Sequence, residues 1–367
     1  MAEVSLRGIR KSYGAVPLFD GFDLEVRDGE LLCLLGPSGS GKTTLIRVIA
    51  GLEAIAAGRI VIGGRDVTAL EPRHRRIGMT FQGYALYPHL PVRRNLSYPL
   101  EVRGVARAEI ERRVNATAAL LGIEGLLDRR IRQISGGEQQ RVAIGRAIVQ
   151  EPDLYLLDEP ISNLDASLRE AVRGELRRLQ RTLTATMVMV THDQMDALAV
   201  ADRIAVLHRG RLQQIGTPAA LYGRPATLFV AGFIGRLRMN FLAGRLGEDG
   251  VLRGEGFALP LPAKIAALPG AAEQEIVAGF RPEVVEVLSA DAPGAIPVRA
   301  AGELFHGEQT IAFFRLGPDL VQALSAAPIG LPMGAAAWLR PAPEALHVFD
   351  RETGRRLADN LATEETS

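Results

Sequence analysis

The run Gly36-Pro37-Ser38-Gly39-Ser40-Gly41-Lys42-Thr43 stands directly between an apolar stretch and a helix-forming one. The apolar stretch predicts a buried strand over Glu30 to Leu35, and the following residues a helix from Thr43 to Gly51. A glycine loop in that setting does one thing well. Its backbone N–H groups turn inward as an anion nest, and the helix behind it points its positive end at whatever the nest holds. The spacing is that of a phosphate-binding loop, in which Lys42 reaches the β- and γ-phosphates and the Thr43 hydroxyl is placed to ligate Mg²⁺.

Composition sharpens this reading. The basic residues are nearly all arginine, and the only lysines are Lys11, Lys42 and Lys264. A lysine inside the glycine loop therefore marks a place that needs a compact ammonium rather than a planar fork. The net charge of +1 argues against a binder of nucleic-acid backbones. Cys33 is the only cysteine, so no disulfide framework exists and a reducing cytoplasm fits. The first residues, Met1-Ala2-Glu3-Val4, do not read as a signal peptide. The weakly polar stretch Ala323 to Leu339 is broken by Pro328, Gly330, Pro332 and Gly334, so no membrane span is expected.

At 367 residues, two domains are expected. Strands at Asp153–Leu157, Thr186–Val190 and Ile204–His208 alternate with helices at Ser167–Leu183 and Gln194–Val200, which implies α/β architecture with a mostly parallel sheet. A helical insertion occupies about 85–152, with one amphipathic helix from about Ala108 to Leu121 and another after Ser135. Past residue 235 the texture changes to short strands punctuated by Gly and Pro, among them Ile276–Phe280, Val284–Leu288, Thr310–Leu316, Ala336–Arg340 and Ala345–Phe349. The expected organisation is 1–235, then a small β-barrel over 236–355, then a polar tail over 356–367.

Two further groups carry chemistry. Leu154-Tyr155-Leu156-Leu157-Asp158-Glu159 is an apolar strand ending in two acids, beside the crevice of a parallel sheet. Asp158 is placed to hold Mg²⁺ through water, and Glu159 to polarise an attacking water. His192 follows the next strand along, within reach of a γ-phosphate. Ser135 with Glu138 forms a capping box. The intervening Gly136 and Gly137 cost helix propensity, about 1 kcal/mol each, and fit a helix terminus that a phosphate must approach closely.

Ile134 to Arg141 resembles the signature motif of the ABC ATPase family, and the other motifs follow in that family's order over the first 235 residues. The resemblance implies a P-loop NTPase cassette with a helical subdomain, followed by an OB-fold-like β-barrel. It makes Tyr13 the adenine-stacking aromatic, and Gln82 the Q-loop glutamine joining Mg²⁺ to the insertion. Ser162-Asn163-Leu164-Asp165 becomes the D-loop, and His192 the switch histidine. Catalysis would fall to Glu159, His192 and Gln82; Mg²⁺ to Thr43, Gln82 and Asp158; and ATP to Tyr13, the loop from Gly36 to Thr44, Ser135, Gly136, Gly137, Glu138 and Asp165. Glu138 departs from the family, whose usual residue there is glutamine. The same resemblance implies that two cassettes meet head to tail, Lys42 of one and Ser135 of the other enclosing one ATP.

Tyr84 to Leu90 then resembles the groove that receives a transmembrane permease subunit. Gly216-Thr217-Pro218, Phe229 to Gly235, Met239-Asn240 and Gly279-Phe280-Arg281-Pro282-Glu283 are similar to the maltose- and glycerol-phosphate-importer subgroup, although Gly235 to Arg238 lacks that group's prolines. The implied activity is ATP hydrolysis that drives a binding-protein-dependent importer for carbohydrate, polyol or glycerol-phosphate-like solutes. The protein would act at the cytoplasmic face of the inner membrane, as a homodimer or with a related cassette. Other importer solutes, such as sulfate, iron or polyamines, remain open. A soluble ABC ATPase acting on DNA or ribosomes is disfavoured, since there is neither a second cassette nor a long coiled-coil insertion.

Overall fold

Five consecutive residues with no exposed surface, Leu31 to Leu35, make the central strand that the sequence predicts. The computed structural model describes residues 2–162, 166–263 and 274–357, and divides them between two compact units, Met1–Pro218 and Ala219–Ser367. In chain order the first unit contains β1 (Val4–Tyr13), β2 (Val16–Val26), β3 (Leu31–Leu35), α1 (Lys42–Ala50), β4 (Ala57–Ile62), β5 (Arg65–Asp66) and β6 (Ile77–Thr80). Next come α2 (Val92–Val102), α3 (Arg107–Leu121), α4 (Gly136–Ile148), β7 (Leu154–Asp158), α5 (Ala166–Leu183), β8 (Met187–Thr191), α6 (Gln194–Val200), β9 (Arg203–His208) and β10 (Arg211–Gly216).

Six strands form one sheet in the order β10-β9-β3-β8-β7-β6, parallel except at the β10 edge. The buried parallel strands β3, β7 and β8 read as continuous apolar runs, as strands covered on both faces must. This order sets the carboxyl ends of β3, β8 and β7 side by side. A second sheet, β2-β1-β4-β5, is antiparallel, and the apolar face of α1 (Leu45, Ile46, Val48, Ile49) shares one core with both sheets. The sequence reading did not resolve this antiparallel sheet.

The second unit opens with α7 (Pro218–Gly223) and α8 (Leu228–Phe233) and continues as β11 (Asn240–Leu246), β12 (Val251–Gly254), β13 (Phe257–Pro260), β14 (Glu275–Phe280) and β15 (Val285–Leu288). The remaining strands are β16 (Ile296–Phe305), β17 (Thr310–Leu316), β18 (Asp319–Ser325), β19 (Ala336–Pro341) and β20 (His347–Asp350). Two five-stranded antiparallel sheets, β13-β12-β11-β14-β20 and β15-β19-β16-β17-β18, enclose one apolar core. The last expected strand starts later than Ala345, because Pro343–Ala345 makes a 3₁₀ turn.

Residues 219–235 fall in this second unit, not with the cassette as expected. Ala231 of α8 packs with Val277 and Phe349, and Arg281 fixes both ends of the segment. Its Nη1 donates to Ile234 O at 2.7 Å, its Nη2 to Tyr222 O at 2.9 Å, and its guanidinium stacks 3.6 Å from the Tyr222 ring centre. The strand framework also runs past the expected start of the tail, since Arg356 N donates to Ala226 O and Leu357 N to Val348 O.

Candidate functional site

The glycine loop joins β3 to α1 by two close approaches. A Cβ at Gly36 would stand 2.2 Å from Leu207 O, and one at Gly41 would meet the Phe19 ring at 2.8 Å. Gly41 also caps α1 with φ 103°, a conformation open to glycine, and no side chain caps the helix. The first N–H groups of α1 are therefore left for an incoming anion. Lys42 curls into the loop, its Nζ donating to Gly36 O at 2.7 Å and Pro37 O at 2.9 Å, with Ser40 Oγ at 3.5 Å. Burial pulls its pKa down, with Glu159 and Asp158 among the charges opposing the shift. Tyr13 is half exposed, and its hydroxyl lies 3.4 Å from Thr44 Oγ1, so the two residues flank one side of the loop.

Beside the loop, β7 ends in Asp158 and the chain then turns sharply. Glu159 takes φ 48°, in the left-handed region that costs a non-glycine residue on the order of 1–3 kcal/mol, while its N–H donates to Val190 O of β8. The turn aims the Glu159 carboxylate at two partners. Gln82 Nε2 donates to Oε2 at 3.0 Å, and His192 Nδ1 lies 3.1 Å from Oε1. Three residues that the sequence places far apart thus meet on one carboxylate.

Asp158 is 3% exposed, and its Oδ1 is buried with no hydrogen-bond partner among the described residues. Burial raises its pKa, opposed by Arg47 and Lys42. An orphaned carboxylate oxygen within the electrostatic reach of Lys42 fits a hard divalent cation that takes its other ligands from phosphate oxygens and hydroxyls. No group of three or more His, Cys, Asp or Glu able to hold a metal occurs among the described residues.

The signature segment caps α4. Ser135 N and Oγ both donate to Glu138 Oε2, at 2.7 and 2.9 Å, and Glu138 N stands 3.4 Å from Ser135 Oγ. Those bonds hold the Glu138 carboxyl below its usual range. They stay within the cap and do not reach the glycine loop. Gly136 and Gly137 occupy the first turn of α4 as expected. Asp165 lies outside the described residues.

Two arginines escaped the sequence reading. On α4, Arg146 donates from Nη1 to Ala85 O at 2.7 Å and from Nη2 to Tyr84 O at 3.0 Å, and both acceptor residues have positive φ. On α5, Arg169 lies 3.0 Å from Asp193 and donates to Ser162 O at 3.2 Å. The available signal was the i, i+4 spacing of Arg169, Arg173 and Arg177, which puts three cations on one helical face.

A glycine nest on a helix terminus, a buried lysine and a strand-end acid pair define a nucleotide-hydrolysing P-loop protein. The family model "ABC transporter" matches residues 19–162, and the model "MalK OB fold domain" matches residues 238–285. The sn-glycerol-3-phosphate import ATP-binding protein of Cereibacter sphaeroides is 48% identical over 97% of this chain and all of its own length. The sulfoquinovosyl glycerol transport ATP-binding protein of Agrobacterium fabrum is 43% identical over 97% of this chain and all of its own. Among solved structures, a dimeric ATP-binding cassette in a post-hydrolysis state with ADP and Pi matches 59% of this chain and 98% of its own, with TM-score 0.52 and 29% identity. CbiO1 of Clostridium perfringens, part of an ABC transporter complex, matches 59% and 89%, with TM-score 0.56 and 26% identity. The chain belongs to the family of ABC transporter ATP-binding proteins and is an ATPase, with a cassette followed by an OB-fold domain of the MalK type.

Proposed function

We propose that this ATPase energises a binding-protein-dependent importer for glycerol-phosphate-like or related carbohydrate and polyol solutes. Full-length similarity to import proteins for sn-glycerol 3-phosphate and sulfoquinovosyl glycerol supports that solute class. The observation that carries the chemistry is the meeting of Gln82 and His192 on Glu159 beside the glycine loop.

In this reading ATP lies on the loop from Gly36 to Thr44 with its adenine on Tyr13, and Lys42 leaves its carbonyl partners for the β- and γ-phosphates. Thr43, Gln82 and Asp158 would hold Mg²⁺, which would supply charge neutralisation at the phosphates. Glu159 orients the attacking water, and His192 contacts the γ-phosphate. Ser135, Gly136, Gly137 and Glu138 of a second cassette, with Asp165, close the site, so that ATP links two subunits. The dimeric state of the related cassette structure supports that arrangement.

Among the described residues no helix is long and apolar enough to cross a membrane. In this reading the protein sits peripherally at the inner membrane, held there by permease subunits that dock on the segment Tyr84 to Leu90. Affinity purification of the tagged chain from membranes tests this. Recovery of polytopic permease subunits is expected, together with ATPase activity stimulated by a solute-loaded binding protein when glycerol 3-phosphate is the solute. Recovery of ribosomes or DNA instead would overturn the reading, and stimulation by an unrelated solute would overturn the solute class alone.

A further inference from the structure

The second unit carries a cation pair that nothing in the cassette chemistry uses. In the sheet β15-β19-β16-β17-β18, Val298, Ala300, Ala337 and Leu339 point into the core, so Pro297, Arg299, Ala336 and Trp338 face outward. Arg299 is the direct cross-strand partner of Arg315 on β17. Like charges directly opposite one another destabilise a strand pair. Neither arginine forms an ion pair among the described residues, and Arg299 bonds only to Gly334 O, at 3.1 Å.

The pair opens onto a cavity of about 720 Å³, well within the size range of small-molecule sites. Trp338, the only tryptophan of the chain, lines the same cavity. It pairs with Pro297 while Arg299 pairs with Ala336, so Trp338 and Arg299 are diagonal neighbours about 7–8 Å apart. Two guanidinium forks match a dianion in bidentate fashion, and an indole face matches a flat ring.

We propose that this cavity is a binding site for a phosphate monoester carrying a flat ring, of mononucleotide size, with the phosphate between Arg299 and Arg315 and the ring on Trp338. The site is independent of the ATP site and of the transport reading.

Because Trp338 is the chain's only tryptophan, all intrinsic tryptophan emission arises at this cavity. The full chain is titrated with guanosine monophosphate, guanosine and inorganic phosphate, in the parent protein and in Lys42→Ala, Arg299→Gln and the double variant Arg299→Gln/Arg315→Gln. Saturable quenching by the nucleotide is expected, unchanged by Lys42→Ala and weakened at least about tenfold in the double variant, with each fragment alone binding less tightly. Both arginines are exposed and repel each other across the strands, so the glutamine variants should melt at or slightly above the parent's temperature. Several results would overturn the proposal: no quenching, quenching that survives the double variant, or quenching lost with Lys42→Ala. Inorganic phosphate binding as tightly as the nucleotide would also do so, reducing the site to a simple anion site. A response that follows protein concentration would do so too, making this face a contact between copies.

Discussion

Arg169 lies 3.0 Å from Asp193, the residue next to His192, and its other terminal nitrogen donates to Ser162 O at 3.2 Å. The contact is one rung of a ladder. One helical turn on, Arg173 lies 2.6 Å from Asp196, and one turn further Arg177 lies 2.5 Å from Asp202, which also accepts from Leu31 N at the start of β3. The ladder fastens α5 to the segment that presents His192.

Burial decides what each rung does. Asp196 is 1% exposed, so Arg173→Ala strands a buried carboxylate and should destabilise the cassette by about 3–5 kcal/mol. The Arg169–Asp193 pair is more open, and its loss should cost no more than about 1 kcal/mol. Yet Arg169→Ala removes the link between the Ser162 carbonyl and the residue beside His192, which keeps its cap on α6, so ATP turnover should fall about tenfold while the melting temperature hardly moves. A lower kcat at unchanged ATP affinity identifies a positioning role; equal losses of stability and rate would assign Arg169 to the fold alone.

Lys42 and Glu159 separate binding from chemistry. Lys42→Ala removes the cation of the nest, and calorimetry should show ATP affinity at least about tenfold weaker. Glu159→Gln keeps a side chain that can still face Gln82 and His192 but removes the carboxylate. It should bind ATP normally, turn over at least about 100-fold more slowly and elute as an ATP-stabilised dimer on gel filtration. Normal turnover in this variant would exclude Glu159 from catalysis.

Contiguity separates what the sequence discloses from what it hides. The loop from Gly36 to Thr43 and the pair Asp158-Glu159 are legible because each carries its own strand or helix context within a few residues. The ladder is not, since Arg169 and Asp193 meet only after β8 is laid beside β7. Residues 219–235 continue the cassette's composition without a break, and only the packing of Ala231 against Phe349 places them in the second unit. The β1–β2 sheet is obscured for a similar reason, because the register of β1 shifts between Leu6 and Tyr13 and breaks the period-2 pattern.

Glu138 is a departure with a visible consequence, since its carboxylate accepts the Ser135 hydroxyl hydrogen bond that, in the proposed function, a phosphate would accept. Glu138→Gln should preserve the cap, loosen the hold on that hydroxyl by replacing a charged acceptor with a neutral one, and remove a negative charge from the end of α4. In a Glu159→Gln background the ATP concentration needed for half-maximal dimerisation should fall about two- to fivefold. An increase instead would mean that the acid is matched to this site.

Arg146 holds Tyr84 and Ala85 in their positive-φ turn by two charge-assisted bonds to backbone carbonyls. Asn95, fully buried, fixes Tyr87, two residues beyond Ala85, accepting from Tyr87 N at 2.8 Å and donating to Tyr87 O at 3.1 Å. Arg146→Ala should raise amide exchange across residues 84–90 by about tenfold or more while ATP affinity stays unchanged. If exchange there is unaltered, α4 does not control the shape of this segment.

His347 gives the second unit a defined acid sensitivity. It is 9% exposed, its Nδ1 has no partner among the described residues, and burial, with Arg356 and Arg281 nearby, lowers its pKa to about 4. The folded imidazole therefore stays neutral down to about pH 4, whereas the unfolded one takes up a proton below about pH 6.5. Between those values the unfolded chain binds more protons, so this contribution is intact above pH 6.5 and is lost as the pH falls towards 4, by about 3 kcal/mol in all. His347→Gln removes this titration but leaves the other acid-sensitive groups in place. Denaturant unfolding from pH 7 to pH 4 should show the stability gap between parent and variant narrowing steadily below pH 6.5. A gap that stays constant over that range would show that His347 titrates alike in both states.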